Sequence, residues 1–298
     1  MTRQTQSLVL WARAARLHQW PKNLLIFVPL LSSHRLGSPL ALLDGLGAFT
    51  LFGMCASGAY MLNDLLDLKH DRLHTSKRLR PFASGQLSTT AGACASAALL
   101  VAALAASSEL LPWKFTISMA LYYVITVAYS LRLKRLMMLD VVTLAMLYTL
   151  RILAGVFAFN LTATFWMLAF SMFIFLSLAL VKRHTELADA RNKGDMDKTR
   201  GRGYFPSDLQ MISALGAASG YRSVMVLALY IQDPSTAALY RHPQLIWLAC
   251  PLLLYWIGRV WMLTHRGAMH EDPVVFAIRD RASLIAGGLF GLVFWLAT

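Results

Sequence analysis

The chain has 298 residues, of which 57% are hydrophobic and 14% charged, with a mean hydropathy of +0.53 and a net charge of +13. Soluble domains average about 25% charged residues, so the composition excludes an ordinary soluble protein and indicates a chain that lies in a bilayer. We expect no cleavable signal peptide, because the first 20 residues are Arg-rich and lack a small-residue cleavage site. The cysteines lack metal-binding spacing and are predicted to be small, buried and reduced: Cys55, Cys94 and Cys250.

Apolar segments of membrane-spanning length recur along the whole chain. A hydrocarbon core of about 30 Å needs roughly 20 apolar residues in a helix. This criterion predicts an all-α integral membrane protein with about nine transmembrane helices, near residues 20–36, 42–62, 90–110, 113–130, 138–159, 164–181, 208–231, 244–264 and 282–297. The first is the least regular, because Pro21 interrupts its start. Without internal repeats or linkers, residues 1–298 are predicted to form one domain.

The connections between these spans are alternately basic and nearly neutral. When Lys and Arg residues near the span ends are assigned to the nearer side, 22 fall on one side of the predicted topology and 3 on the other. The positive-inside rule then predicts a cytoplasmic N-terminus, a location in the inner (cytoplasmic) membrane and an active site that faces the cytoplasm. Because topology explains the net charge, we predict no nucleic-acid partner.

The three basic residues that this count leaves out fall well inside predicted spans: Arg151, Arg222 and Arg259. A charge at the centre of a membrane helix costs about 2.5–3.5 kcal/mol on insertion scales, and it usually faces a cavity or an ionic partner. We predict a functional role for Arg151. For Arg222 and Arg259, a functional role and a structural pairing with a polar neighbour both remain open.

The end of the second predicted span holds a group of acidic residues. The carboxylates of Asp64, Asp67 and Asp71 are spaced i, i+3 and i+7, which places them on one helical face within an arc of about 60°. Like charges this close need a counter-charge, and Mg²⁺ bridges one or two carboxylates to substrate phosphates. With Asn63, these acids are the predicted magnesium ligands. The alternative is a solvated helix end whose acids pair with nearby cations: Lys69, Arg72 and Arg78.

Three basic residues follow the acids closely: Lys77, Arg78 and Arg80. Cations beside a metal-bound diphosphate stabilise the charge that develops on a leaving group. We therefore predict that these three residues are catalytic, together with the acids, in an enzyme that releases diphosphate.

At this point the sequence resembles a known family. The run Asn63-Asp64-x-x-Asp67-x-x-x-Asp71, followed by Lys77-Arg78-x-Arg80-Pro81, looks like the signature of UbiA-type prenyltransferases, and the resemblance covers essentially the whole chain. It implies a nine-helix intramembrane enzyme that binds a diphosphate substrate through Mg²⁺. Aromatic prenyltransferases of this superfamily carry a second acidic motif, DxxxD, after the sixth span, and residues 182–207 lack it.

Other stretches resemble the bacterial decaprenyl-phosphate phosphoribosyltransferase branch. They are Arg16-x-His18-Gln19-Trp20-x-Lys22-Asn23, Tyr129-Ser130…Leu133-Lys134…Asp140, Arg151-x-x-Ala154-Gly155 and Asp272…Arg279-Asp280-Arg281. This resemblance implies that ribose 5-phosphate moves from phosphoribosyl diphosphate to a polyprenyl phosphate, with substrate contacts from His18, Gln19, Lys22, Asn23, Tyr129 and Arg151. Pro21 and the insert at residues 189–202 depart from the pattern.

Such a donor and a lipid phosphate together bring more anionic groups than an aromatic acceptor does. We therefore predict that basic side chains clamp phosphates: Lys22, Lys134, Arg151, Lys182 and Arg183. For each of them the alternative is a topology-determining charge without a ligand. Lys134 and Glu186 are counted with the catalytic residues. Glu186 either orients Lys182 or Arg183, or helps to coordinate metal or ribose hydroxyls.

In the predicted reaction, ionisation at the anomeric carbon gives an oxocarbenium-like centre that the lipid phosphate attacks, so no protein nucleophile is required. The alternative enzyme is a prenyl diphosphate-dependent transferase that acts on an aromatic or other small acceptor. A lipid transporter is disfavoured, because the two halves of the chain show no repeat and the polar groups cluster on one side.

Overall fold

The computed structural model describes residues 3–33, 38–73, 77–192, 194, 203–234, 240–269 and 272–298, which form helices and turns without a β-strand. The α-helices of these residues are α1 Arg3–Ala14, α2 Val28–Ser32, α3 Pro39–Leu66, α4 Leu68–Leu73, α5 Thr89–Leu110, α6 Trp113–Leu131, α7 Leu139–Ala158, α8 Phe165–Asn192, α9 Leu209–Gln232, α10 Ala249–His265, α11 Pro273–Arg279 and α12 Arg281–Ala297. The 3-10 helices are Leu17–Phe27, Lys77–Leu79, Leu133–Arg135, Pro206–Asp208 and Pro243–Leu248. In lipid, a helix satisfies its own backbone hydrogen bonds, so an apolar chain of this kind folds as helices.

In the described part of the chain, seven helical segments are long and apolar enough to cross a membrane, and they match seven of the nine predicted spans. An eighth span is obtained if α11 and α12, which meet at an angle of 81°, count as one broken span. The predicted first span is not a single helix. A 3-10 helix, Leu17–Phe27, precedes α2, because Pro21 and Pro29 each lack the amide hydrogen that an uninterrupted α-helix requires.

The bend between α11 and α12 has a side-chain explanation. Asp280 accepts hydrogen bonds from the amide and the hydroxyl of Ser283, both at 2.8 Å, and so caps α12. Arg259 of α10 donates two hydrogen bonds to the same carboxylate, at 2.7 and 3.0 Å. Arg259 therefore has a structural partner, whereas Arg222 is exposed on α9.

The structure divides into two compact units. The first contains Met1–Leu133 and Leu150–Thr162. In it, the 3-10 helix lies against α3, since the indole of Trp20 donates to the hydroxyl of Ser57 at 3.0 Å, and Ser57 donates to the carbonyl of Ala15 at 2.8 Å. Gly155 of α7 permits the closest approach to this helix, because a Cβ atom there would lie 2.0 Å from the carbonyl oxygen of Ile26. The 3-10 helix is thus held firmly between α3 and α7.

The second unit contains Lys134–Thr149 and Ala163–Thr298. Here α8 packs along α9, and Ser177 donates to the carbonyl of Gly216 at 2.7 Å. The indole of Trp261 in turn donates to Ser177 at 3.0 Å. A side chain at Gly216 would collide with Trp261, since a Cβ atom there would lie 2.1 Å from the nearest atom of the indole ring. Small and aromatic residues together therefore fix α8, α9 and α10 against one another.

Two sequence predictions need correction or restriction. Cys55 and Cys250 are buried as predicted, but Cys94 is exposed; all three are free thiols. The charge count included Arg35 and several basic residues of the 189–202 insert, and residues 34–37, 193 and 195–202 lie outside the described residues. The cytoplasmic position of the N-terminus therefore stays a prediction.

Candidate functional site

Two buried carboxylates and two arginines meet in the first unit, where α3 ends. Asp64 of α3 and Asp71 of α4 are each 3% exposed. One nitrogen of Arg80, Nη1, donates to both, at 3.0 Å to Asp64 and 2.6 Å to Asp71. Nη2 of Arg16 donates to the same oxygen of Asp64 that Arg80 contacts. The two carboxylates therefore converge on one cationic position.

Asp67 ends α3 instead of continuing it. Its amide donates to the carbonyl oxygen of Asn63, and its own carbonyl oxygen accepts from the amide of Asp71, both at 2.9 Å. The prediction that the three acids lie on one helix is therefore wrong, since Asp64 and Asp71 belong to successive helices, but these two carboxylates do meet, at Arg80. The side chains of Asn63 and Asp67 are half-buried, and the pair that Arg80 joins is Asp64 with Asp71.

The carboxylate oxygens of Asp64 and Asp71 are suitable ligands for a hard divalent cation. Carboxylate oxygens are the ligands that Mg²⁺ prefers, and Mg²⁺ is held in proteins by one or two carboxylates together with substrate phosphates. A single cation, the guanidinium of Arg80, already bridges Asp64 and Asp71. Among the described residues, no group of three or more His, Cys, Asp or Glu side chains is arranged to hold a metal ion. Substrate oxygens would therefore have to complete the coordination.

The basic residues near the acids fall into two sets. Arg80 is 27% exposed and contacts both acids, whereas Lys77 and Arg78 expose their side chains on a short 3-10 helix. The neighbouring cations that the sequence offered as alternative partners of the acids are likewise exposed: Lys69, Arg72 and Arg78. The counter-charges of Asp64 and Asp71 come instead from Arg16 and Arg80.

Arg151 forms a second polar group in the first unit. It is 3% exposed and donates from Nε to Oδ1 of Asn23 at 3.1 Å and from Nη2 to the hydroxyl of Tyr122 at 2.8 Å. Its guanidinium also lies over the rings of Tyr122 and Phe52, 4.7 and 5.7 Å from their centroids. Such stacking and fork-like donation keep the side chain in one orientation.

The neighbours of Arg151 leave one donor without an acceptor. Asn23 is 1% exposed, and its Nδ2 atom has no hydrogen-bond partner in the described part of the chain. Lys22, the adjacent residue, is 7% exposed. An unpaired amide donor beside two buried cations, Lys22 and Arg151, is suited to bind an anionic oxygen.

The remaining predicted contacts have less specific surroundings. His18 is exposed, and the other three are half-buried: Gln19, Tyr129 and Lys134. The backbone amide of Gln19 donates to the carbonyl oxygen of Arg16 at 2.7 Å. This hydrogen bond belongs to the turn that leads into the 3-10 helix. Their substrate contacts stay predictions.

In the second unit, Arg183 lies in α8 and not in a loop. It is 1% exposed, forms an ion pair of 2.5 Å with Asp140, which is 0% exposed, and also pairs with Glu186. The prediction that residues 182–186 lie in a loop after the sixth span is therefore wrong, because α8 continues to Asn192. Glu186 pairs with Arg183, the contact that one of the two sequence-based alternatives requires, and its role stays a prediction.

Tyr204 extends this network. Its hydroxyl donates to Asp140 at 2.5 Å and accepts from the amide of Met138 at 2.9 Å. The preceding Gly203 lies so close to the backbone of Met137 that a Cβ atom would be 2.7 Å from its nitrogen. Burial, then the hydrogen bond to Asp140 and the charge of that carboxylate, raises the pKa of Tyr204 above its ordinary value. The hydroxyl therefore stays protonated at physiological pH.

Lys182 belongs to a separate group of the second unit. Its ammonium lies 3.5 Å from Asp272, and the hydroxyl of Tyr148 donates to the same carboxylate at 3.2 and 3.3 Å. Asp272 also caps α11 by accepting from the amide of Val274 at 3.2 Å. With 37% of its side chain exposed, Lys182 is more accessible than Arg183.

Several residues to which the sequence analysis assigned no role contact the predicted site residues or their partners: Arg16, Tyr122, Asp140, Tyr204 and Asp272. Three of them stand in the stretches that suggested the phosphoribosyltransferase branch, namely Arg16, Asp140 and Asp272.

The profile of the UbiA prenyltransferase family matches residues 24–297 of this chain. The structure is similar to that of a UbiA homolog from Archaeoglobus fulgidus bound to GPP and Mg²⁺, with a TM-score of 0.70, 16% identity, and coverage of 97% of this chain and 99% of that chain. At this identity the similarity concerns the fold, and it confirms the predicted all-helical architecture.

Several relatives are similar in sequence, and three of them illustrate the range. The uncharacterized protein y4nM of Sinorhizobium fredii is 37% identical over 288 residues, 96% of this chain and 55% of that protein, so the chain spans about half the length of that relative. The nodulation protein NoeC of Azorhizobium caulinodans is 39% identical over 297 residues, 95% of this chain and 92% of NoeC. A decaprenyl-phosphate phosphoribosyltransferase of Mycolicibacterium smegmatis is 31% identical over 289 residues, 90% of this chain and 86% of the enzyme.

Proposed function

Because this chain belongs to the UbiA prenyltransferase family, it is a multi-pass membrane transferase, and we propose that it moves a 5-phosphoribosyl group from phosphoribosyl diphosphate to a polyprenyl phosphate. The observation that carries this proposal is the convergence of two buried carboxylates and two arginines, Asp64 and Asp71 with Arg16 and Arg80. Carboxylates and guanidinium groups at one point suit a metal-bound diphosphate, since the carboxylates bind the metal and the guanidinium groups bind phosphate oxygens.

In the proposed site, Asp64 and Asp71 would hold Mg²⁺, with Asn63 and Asp67 as further oxygen ligands. When bound, the metal would neutralise charge on the diphosphate and make it a better leaving group. Arg16 and Arg80 would bind the diphosphate oxygens, and Lys77 and Arg78 would add positive potential near them. The bond from the anomeric carbon to the diphosphate breaks with its electron pair on the diphosphate, and an oxygen of the lipid phosphate forms the new bond.

The choice of a phosphoribosyl donor rests on two further observations. Beyond those at the acids, the first unit contains the buried cations Lys22 and Arg151 and, beside them, the Nδ2 donor of Asn23, which has no partner among the described residues; an additional phosphate would satisfy that donor. In the second unit, Asp140 and Glu186 are both paired with Arg183. Residues 182–207 also lack the second acidic motif, DxxxD, that the family resemblance gives to aromatic prenyltransferases. The similarity to a decaprenyl-phosphate phosphoribosyltransferase agrees with this choice.

We place the enzyme in the inner membrane with its acid–arginine site toward the cytoplasm, where phosphoribosyl diphosphate is soluble. The support is the distribution of Lys and Arg, 22 against 3 across the predicted topology. Lys134, Lys182 and Tyr129 are proposed to contact the phosphates of the substrates, and His18 and Gln19 are proposed as further substrate contacts.

The test is a comparison of donors. Purified protein in lipid nanodiscs is incubated with Mg²⁺ and decaprenyl phosphate, and either phosphoribosyl diphosphate labelled in the ribose or labelled geranyl diphosphate is added. Ribose label in the lipid fraction, lost in EDTA and in Asp64→Asn or Asp71→Asn, is the expected result. Transfer of the geranyl label to an added aromatic acceptor, without transfer of ribose, would instead establish a prenyl diphosphate-dependent transferase.

A further inference from the structure

Arg16 occupies an unusual position between two elements. Residues 15 and 16 join α1 to the 3-10 helix Leu17–Phe27, and Arg16 has φ 51° and ψ 46°, in the left-handed region. Non-glycine residues rarely adopt this region unless their surroundings hold them there. The backbone is indeed fixed on both sides, since the amide of Arg16 donates to the carbonyl of Arg13 at 3.1 Å and its own carbonyl accepts from Gln19 at 2.7 Å. The backbone thus aims the side chain at Asp64.

The contacts of this side chain differ from those of Arg80. Arg80 joins both acids, whereas Arg16 reaches Asp64 alone. The guanidinium of Arg16 also lies 5.2 Å from the ring centroid of Tyr60, one helical turn before Asp64 on the same face of α3. The guanidinium of Arg16 is therefore in contact with an aromatic ring while it contacts Asp64, and the ring would remain a partner of its charge if the contact with Asp64 were lost.

The charges at Asp64 and Asp71 are balanced as they stand, because two arginines neutralise two carboxylates. A divalent cation added to this arrangement would raise the positive charge to four, against two carboxylates or, if Asp67 also binds the cation, three. Such a charge is costly at residues that are 3% exposed. Either a guanidinium must leave a carboxylate, or a polyanion must arrive with the metal.

We propose that Arg16 exchanges partners: it neutralises Asp64 in the metal-free enzyme, and it moves to the diphosphate when a divalent cation binds Asp64. In the metal-free enzyme, the guanidinium of Arg16 thus supplies positive charge at the place of the metal. After the metal binds, Arg16 contacts the leaving group. The consequence is that the cation and the diphosphate bind cooperatively, since each relieves the charge imbalance that the other creates. The inference rests on the proposed function for the presence of a divalent cation and a diphosphate.

The first experiment measures binding without turnover. Mn²⁺ binding to the detergent-solubilised protein is followed by electron paramagnetic resonance, and binding of inorganic diphosphate with Mg²⁺ by calorimetry. Arg16→Gln is expected to bind Mn²⁺ about 10-fold more tightly than the parent, and diphosphate about 10-fold more weakly. Arg16→Lys, which keeps the charge, should restore the weak Mn²⁺ binding. Arg13→Gln is the matched control, since Arg13 is exposed three residues earlier and its loss removes the same charge.

The second experiment uses the unaltered protein and so does not depend on the folding of a variant. Modification of arginines by phenylglyoxal is mapped by mass spectrometry in buffer alone, with Mg²⁺, and with Mg²⁺ and inorganic diphosphate. Arg16 should react faster when Mg²⁺ is added and slower again when diphosphate follows, while the rate at Arg13 stays constant.

The outcomes separate this inference from the proposed function. If the protein binds Mn²⁺ and diphosphate but Arg16→Gln binds Mn²⁺ no more tightly than Arg13→Gln does, the exchange is refuted and the proposed function stands. An unchanged modification rate at Arg16 upon Mg²⁺ addition refutes it as well. If the parent protein binds neither Mn²⁺ nor diphosphate, both the exchange and the proposed function fail.

Discussion

Arg183 and Asp140 form an ion pair of 2.5 Å at positions that are 1% and 0% exposed. The sequence suggested that Arg183 clamps a substrate phosphate. In the structure, however, the charge of Arg183 is neutralised within the protein by the carboxylates of Asp140 and Glu186. Removal of one member of a buried ion pair leaves the other charge without compensation, and this costs more than the pair itself contributes.

We therefore expect Arg183→Gln to lower the free energy of unfolding by about 3–5 kcal/mol. Thermal unfolding of the detergent-solubilised protein, followed by tryptophan fluorescence, measures the change. Lys182→Gln is the comparison, because Lys182 is 37% exposed and its pair with Asp272 spans 3.5 Å. It should unfold near the parental temperature, while its kcat/KM for phosphoribosyl diphosphate falls about 10-fold or more.

The double variant Asp140→Asn/Arg183→Met removes both charges and should recover part of the lost stability. If Arg183→Gln instead unfolds like the parent and loses activity, the buried pair is unimportant for folding, and the phosphate clamp predicted from the sequence regains support.

Tyr204 provides a pH-dependent contribution to stability. Since burial and Asp140 raise its pKa above the ordinary value of 10.0, the folded state holds the phenolic proton more tightly than the unfolded state does. The stabilisation is complete below about pH 10 and is lost as the pH rises toward the higher folded value. Tyr204→Phe should lower the free energy of unfolding by about 1.5–3 kcal/mol at pH 8, the range for a hydrogen bond to a charged group.

Above pH 10 the difference between Tyr204→Phe and the parent should shrink, and unfolding temperatures measured from about pH 8 to about pH 11 check this. Tyr255→Phe serves as the control, because Tyr255 is 58% exposed. A Tyr204→Phe effect that stays constant over the whole pH range would show that the hydroxyl does not titrate in this way.

Asn23→Asp separates a structural role of this residue from a binding role. The substitution keeps the oxygen that accepts from Arg151 at 3.1 Å, but it replaces the unpaired Nδ2 donor by a negatively charged acceptor. If Nδ2 donates to a substrate phosphate, kcat/KM should fall about 10- to 150-fold. Steady-state kinetics with phosphoribosyl diphosphate and with polyprenyl phosphate varied in turn identifies which substrate is affected.

The matched control is Asn160→Asp, the same chemical change at an exposed turn of the first unit. Both variants should unfold near the parental temperature. Parental kinetics for Asn23→Asp with both substrates would mean that the buried donor faces no substrate.

The topology can be tested with exposed positions. Cysteines introduced at Ser84 and Ser207, which are both exposed, in a chain without the three native cysteines, should resist a membrane-impermeant thiol reagent added to intact cells. Both should react after the cells are opened. Labelling of either from outside would overturn the positive-inside assignment of the basic segments.

The sequence alone predicted the class of fold, which the structure confirms, and the type of chemistry, which stays a prediction. Long apolar stretches predict helices in a bilayer, because each helix satisfies its own backbone there, and seven predicted spans recur as helices. The acids at the end of the second span and the basic residues after them predicted a diphosphate site, since like charges are tolerated together only with a counter-charge. Local spacing was sufficient for these conclusions.

Only the tertiary structure decided which charges meet. Arg16 and Arg80 are 48 and 16 residues from Asp64, and Arg151 is 128 residues from Asn23, so periodicity cannot pair them. The tertiary structure likewise shows that Arg183 is buried against Asp140, and that α3 ends at Leu66 within the acidic run. A sequence does not distinguish a charged side chain that is solvated from one that is paired within the protein or one that binds a substrate. Its burial and its partners make the difference, and these arise when distant segments pack together.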